Sequence, residues 1–423
     1  MPQQRPSGES PHLFVINRSP ESRRMIGRLR EIAPGIISGA ADLDPAAVLT
    51  ATVAGASFGY SIGWVVLLTI PVLWAVFAVS ARIGHETEKG LVQLIRQSRG
   101  LVAGWGMAIA MIAVNMTMIV ADLVAVSDGF SLILQQPRYY FLPAVAFVVW
   151  WVLVLGDYRK SSRILIWFAL FQLSYIVAAA LTVSSPMALF KGILLPHFRA
   201  DTPYMLGMIA IFGSLLTPDV LVWQTSSRRD RKAFGGGLHE GESKAGTLVA
   251  TLVSLNAIIA ASALHVADPS HMSTLTAAQA LAPLGSFAPV VFSLGIIGSG
   301  LIALPILVAS MCFSIAEAAD WESGLSKPAW EARKFYILIS AAMVLAVTID
   351  FGRINTVAVL YWSQIVAGIL TVPILLFLLL LGNDKSISPA KNTVGQNFLI
   401  GGAVGGMIMA NLVFLWAEFL AKH

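Results

Sequence analysis

Long uncharged runs alternate along the chain with short polar, charge-bearing segments. Several of the runs approach or exceed the roughly 20 residues a helix needs to cross a hydrocarbon core about 30 Å thick. Ile62 to Ala81 and Phe398 to Ala417 are almost entirely apolar or small, the second broken by Asn411. Runs of this length predict membrane-spanning helices; the strands of a β-barrel would be short and alternating. Charged or Pro/Gly-rich punctuation divides the chain into eleven predicted spans, near residues 33–58, 61–83, 101–127, 140–157, 162–184, 203–226, 245–266, 286–316, 333–350, 353–381 and 396–419. Between the second and third, His85 to Arg99 is polar enough to form a short surface helix.

Two predicted spans are interrupted in the same way. The first carries Ala41-Asp42-Leu43-Asp44-Pro45 near its middle, and the sixth carries Leu216-Thr217-Pro218-Asp219 in its second half. A proline removes a backbone donor, and a carboxylate at bilayer depth costs roughly 2.5–3.5 kcal/mol on insertion scales. Five spans is an odd number, so a second five-span unit has inverted topology. A matching pair of broken helices then points to a binding site at the midplane of an inverted-repeat transporter. The expected organisation is a basic tail over 1–30, a first five-span repeat over 31–184, a second, inverted repeat over 185–381, and an eleventh span with a short C-terminus over 382–423.

Composition agrees with this reading. Of 423 residues 57% are apolar and 12% charged, against about 25% charged in an ordinary soluble domain, and the mean hydropathy is +0.76. With the N-terminus inside, 23 of the 28 Lys and Arg residues fall on inner segments, leaving Arg138, Lys191, Arg199, Arg353 and Lys422 outside. The run Arg228-Arg229-Asp230-Arg231-Lys232 reads as a solvated inner loop, and the net charge of +5 needs no nucleic-acid partner. Arg5 to Arg30 precede any apolar run, so no cleavable signal is expected. Cys312 is alone, so there is no intramolecular disulfide and no cysteine-pair metal site.

The candidate chemistry lies at the breaks. Unwinding beside Pro45 would free carbonyls that join Asp44 in coordinating a cation; the competing use of Asp44 is a hydrogen bond to the partner helix. Asp219, after Pro218, would face Asp44 if the repeats meet in the usual way, or serve as an N-cap. Asp42 is an outer attractor of cations or a polar contact within the bundle. Thr217 offers a hydroxyl to the site or to its own helix. Asp122 is a relay or an interhelical hydrogen bond, and Gln364 in span ten presents a neutral oxygen. Asn115, Asn256 and Asn411 read as interhelical ties. These are hard oxygen donors with no Met or Cys among them, which favours Mg²⁺, Ca²⁺ or Mn²⁺ over late transition metals.

The ordered set Pro34-Gly35, Asp44-Pro45, Gly55-Ala56-Ser57-Phe58-Gly59-Tyr60, Ala81-Arg82-Ile83-Gly84, Ala121-Asp122-Leu123, Gly156-Asp157-Tyr158-Arg159-Lys160, Pro218 and Ser363-Gln364 resembles the Nramp family of divalent-metal transporters. The resemblance implies an all-α polytopic membrane protein with the LeuT-type fold, an inverted 5+5 repeat plus an eleventh span, an inward N-terminus and alternating access. Members that carry Mn²⁺ and Fe²⁺ show Asp-Pro-Gly-Asn and Met-Pro-His at the two breaks; here the matching residues are Asp44-Pro45-Ala46-Ala47 and Thr217-Pro218-Asp219. Position 47 is thus a site position that has lost its Asn. Ala125 stands where the family has an acidic residue, which implies weak or absent proton coupling. Asp42 and Trp223-Gln224-Thr225-Ser226 look more like the Nramp-related magnesium transporters.

The expectation is therefore a secondary transporter or facilitated carrier of a divalent cation, Mg²⁺ first and Mn²⁺ second. Asp44, Asp219 and Gln364 are the metal ligands, with Asp42, Thr217 and Ala47 beside them, Pro45 and Pro218 as helix breaks and Asp122 as a possible relay. The alternative is a carrier of a small organic cation or sodium-coupled solute on the same fold. An intramembrane aspartyl protease is disfavoured, because Val154-Leu155-Gly156-Asp157 lacks the first Gly of Gly-x-Gly-Asp. No resident cofactor and no obligate protein partner are expected beyond the cation cargo and the lipid bilayer, and the compact loops fit a bacterial inner membrane.

Overall fold

The computed structural model describes residues 44–156, 167, 170–199, 201–226, 240–264, 266, 272–325, 327–350 and 355–421. Asp42, Pro34, the basic tail and the run Arg228 to Lys232 lie outside them. Every described secondary-structure element is helical. Helix α1 (Pro45–Phe58) opens on the proline, whose fixed φ suits a first turn, and Asp44 caps it, accepting from the Ala47 amide at 2.5 Å. A 3₁₀ turn over Gly59–Ile62, entered with Gly59 at φ 61°, leads into α2 (Gly63–Thr87). Then come α3 (Leu91–Arg99), α4 (Leu101–Leu134), α5 (Leu142–Val154), α6 (Ser174–Thr182) and α7 (Pro186–Leu194). The second half holds α8 (Thr202–Leu215), α9 (Pro218–Ser226), α10 (Glu240–Ala261), α11 (Thr274–Ala278), α12 (Ala288–Ala319), α13 (Arg333–Asp350), α14 (Thr356–Asn383) and α15 (Val394–Ala421).

Each predicted span contains a helix. Six helical stretches among the described residues are long and apolar enough to cross a membrane, and shorter apolar helices cover Arg138–Val154, Leu170–Thr182 and Thr247–Ala261. Helix α4 outruns its predicted end near 127: its 34 residues span about 51 Å. The polar stretch after α2 does form a short helix, α3, yet it is docked rather than free on the surface. Leu91, Val92, Leu94 and Ile95 are buried while Gln97, Ser98 and Arg99 face out, the single apolar stripe expected of an amphipathic helix. Helices α7 and α11 lie in connections where no helix was predicted; Ser185 and Ser273 cap them.

Apolar side chains gather into two cores. One takes in α1, α2, α8, α9, α10 and most of α14, the other the middle of α4 with α5, α12 and α13. They meet at the head of α1, where Gly300 of α12 leaves room for Pro45 and for Val126 of α4. Polar ties hold the second core together, as small polar groups do between membrane helices: Asn115 of α4 donates to Ser310 of α12 at 2.9 Å. Asn256 departs from its expected role, since its amide bonds Leu252 of its own helix at 2.8 Å instead of a neighbouring one.

Candidate functional site

The second break is explicit in the backbone. Helix α8 ends at Leu215, Leu216 takes φ −104° and ψ 60°, Thr217 is not helical, and Pro218 opens α9. Proline has no N–H to lose at a first turn, so the break leaves the amides that follow it directed toward the gap. Asp219 sits in that first turn, buried, with the Thr217 hydroxyl and the amides of Asp219 and Val220 facing its carboxylate. Its Oδ1 has no hydrogen-bond partner.

Three more predicted residues converge on this region. Asp44 is buried at the head of α1 and feels the charge of Asp219. Part of its carboxylate is engaged as a cap by the Ala47 amide. What position 47 contributes is therefore a main-chain donor to Asp44, since a methyl cannot ligate. Asp122 of α4 is fully buried, lies within electrostatic reach of both Asp44 and Asp219, and is faced by the Ala46 amide alone, with no side-chain partner on either oxygen. Gln364 of α14 is likewise fully buried with both amide atoms unpartnered.

No described Lys or Arg is buried to offset these acids; among the described residues the buried charged ones are Asp44, Asp122, Asp219 and Glu317. Unpaired carboxylates in a low-dielectric interior are costly, so this arrangement calls for a cation or for protons. Among the described residues no three His, Cys, Asp or Glu side chains come close enough to enclose a metal by themselves. A bound cation would draw on Gln364, on main-chain oxygens and on its own water as well as on the carboxylates.

Helix α14 supplies more than Gln364. Gln364, Gly368 and Thr371 recur at helical spacing on one face, and that face packs on α8: a Cβ on Gly213 would lie 2.2 Å from the Gln364 carbonyl oxygen. Thr371 donates to the Leu216 carbonyl at 3.1 Å, taking up one of the oxygens freed by the break. Thr371 and Gly213 were missed in the sequence, although their i+7 and close-packing relations to Gln364 were the available signals. In the stretch after the second break, Thr225 and Ser226 bond to groups at the far end of α9, away from Asp219.

The family described as natural resistance-associated macrophage protein-like, Nramp, matches residues 35–417. A divalent metal cation transporter, MntH, of Aeromonas hydrophila is 26% identical over 408 residues, covering 93% of this chain and 96% of the relative. The MntH of Deinococcus radiodurans is 23% identical over 401 residues, covering 91% and 89%. Among solved structures, a histidine-to-alanine mutant of the Eremococcus coleocola manganese transporter superposes with a TM-score of 0.70 at 16% identity, over 94% of this chain and 88% of that one. MhsT in complex with L-phenylalanine superposes with a TM-score of 0.55 at 15% identity, over 92% and 98%. The fold is accordingly the LeuT type.

Proposed function

The chain belongs to the Nramp family of divalent metal transporters, and from that premise we propose that its cargo is a hard divalent cation, Mg²⁺ first and Mn²⁺ second, carried by alternating access. The observation that carries this reading is that Asp44, Asp122 and Asp219 are buried with no buried Lys or Arg among the described residues, while both side-chain amide atoms of Gln364 are buried and unpartnered. Asp44, Asp219 and Gln364 are the proposed ligands, Thr217 and Asp42 their neighbours, and Asp122 a possible relay. Thr217 in place of a thioether removes the soft donor that would favour later transition metals. A site whose described carboxylates do not by themselves enclose a metal suits an ion that sheds its hydration shell reluctantly and keeps part of it, as Mg²⁺ does. The relatives named as divalent metal cation transporters and the Eremococcus coleocola manganese transporter support the cargo class.

With Ala125 buried where the family has an acid, transport is proposed to be weakly coupled or uncoupled to protons. The N-terminus is proposed to be cytoplasmic, the membrane a bacterial inner membrane, and the chain two inverted five-span repeats over 31–184 and 185–381. A second reading, an organic cation or sodium-coupled solute, draws on MhsT, which shares the fold and holds L-phenylalanine. Calorimetric titration of the purified protein separates the two. Heat on adding Mg²⁺, competed by Mn²⁺ and abolished by Asp44→Ala, is expected. Silence with both ions from folded protein would favour the organic cargo.

A further inference from the structure

Two carboxylates outside the site each tie three elements together, one at either end of the bundle. Glu317, in the last turn of α12, is 3% exposed. It accepts from the amides of Val92 and Gln93 at 3.2 and 3.3 Å and from the Ser226 hydroxyl at 2.6 Å. Val92 and Gln93 follow Leu91 in the first turn of α3, so a side chain 225 residues away from Val92 in sequence satisfies amides that a helix leaves unpaired at its start. The residue preceding α3, Gly90, has no side chain with which to cap it, and a Cβ there would stand 1.7 Å from Glu317 Oε1. Thr225 accepts from the Leu91 amide at 3.1 Å, and Arg96 pairs with Asp320, just past α12, at 3.5 Å.

Asp128, near the opposite end of α4, does the same for other elements. Its Oδ2 accepts from Thr274, the first residue of α11, at 2.7 Å and from Thr356, the first residue of α14, at 2.6 Å. Arg138 lies 3.8 Å from its Oδ1 and donates to Thr356 at 2.9 Å. On the proposed orientation the Glu317 cluster faces the cytoplasm and the Asp128 cluster the outside.

The inner cluster is joined to the site by one rigid piece. Helix α9 has nine residues and is about 13 Å long, with Asp219 in its first turn and Thr225 and Ser226 at its end. Any movement of Asp219 toward or away from a cation is delivered to the hydroxyls that bind α3 and Glu317. In this structure both clusters are intact while Asp44, Asp219 and Gln364 are all buried.

We propose that Glu317 and Asp128 are the inner and outer latches of the transport cycle, each releasing when its own side opens while the other stays fastened. The inference rests on the alternating-access part of the proposed function. Charge-assisted bonds to several donors make each latch strong, and deleting one shifts the population toward the state in which it is already broken.

Reporter cysteines test this in lipid nanodiscs with Cys312 replaced by Ser. Ser80→Cys reads the inner side, because Ser80 is buried and its hydroxyl meets the Leu221 carbonyl of α9 at 3.3 Å. Ala278→Cys, buried in α11, reads the outer side. With a water-soluble maleimide, Glu317→Ala is expected to raise labelling at position 80 several-fold and lower it at 278, and Asp128→Ala to do the reverse. Ser226→Ala, which removes a single donor and spares the carboxylate, should act like Glu317→Ala to a smaller degree and serves if the latter fails to fold. Labelling that rises at both positions together, as in general loosening, or changes at neither overturns the proposal. The readout needs no metal, so opposite shifts in a protein that takes up neither Mg²⁺ nor Mn²⁺ would leave the latches standing and remove only the cargo assignment.

Discussion

At the scale of single residues, the choice of donor atoms governs which cation the site prefers. Thr217 and the methyl of Ala47 leave oxygen as the donor at the breaks, and a thioether would add a polarisable ligand beside Asp219. Thr217→Met is therefore expected to raise affinity for Mn²⁺ relative to Mg²⁺ several-fold, as read by competition between the two ions. Thr371 has a different task, holding the Leu216 carbonyl. Thr371→Val keeps the shape and strands a buried acceptor, which costs about 1–3 kcal/mol; thermal unfolding in detergent should register that loss, with Thr371→Ser close to wild type. Asp44, Asp219 and Gln364 were legible in the sequence because polar groups at bilayer depth stand out. Thr371 was not, because a threonine in an apolar helix ordinarily bonds its own backbone, and this one also does so, at 2.7 Å to Ala367.

Elements follow from apolar length and punctuation, which is why a helix falls within each predicted span and why Pro45 and Pro218 mark helix starts. Less legible were features decided by distant partners. Nothing in the sequence singled out Glu317 or Asp128, and only the fold brings α3, α9 and α12 together at one end and α4, α11 and α14 at the other. Likewise the polar character of His85 to Arg99 was visible, but not the surface that buries Leu91 and Ile95. Contact between α8 and α14 depends on glycine at 213, where an added methyl would collide with the Gln364 carbonyl. Gly213→Ala should destabilise the protein by about 1–3 kcal/mol and weaken cation binding by displacing Gln364. Measuring unfolding and titration on the same preparation checks both effects.

For the whole molecule, orientation and cargo are the properties to establish. Lys and Arg crowd onto alternate connections, which predicts a cytoplasmic N-terminus. In intact cells, an impermeant maleimide should label Met187→Cys, exposed on α7, from outside. It should reach Trp330→Cys, exposed between α12 and α13, only after permeabilisation; the opposite pattern would reverse the topology. The central claim is that buried carboxylates at the head of α1 and at the break before α9 carry a hard divalent cation through the bilayer. Its most direct test is uptake into proteoliposomes under an imposed membrane potential, with internal indicators for Mg²⁺ and Mn²⁺. Uptake by the wild type that disappears in Asp44→Ala is the predicted result, whereas no uptake of either ion by folded wild-type protein, or undiminished uptake by the variant, would contradict it.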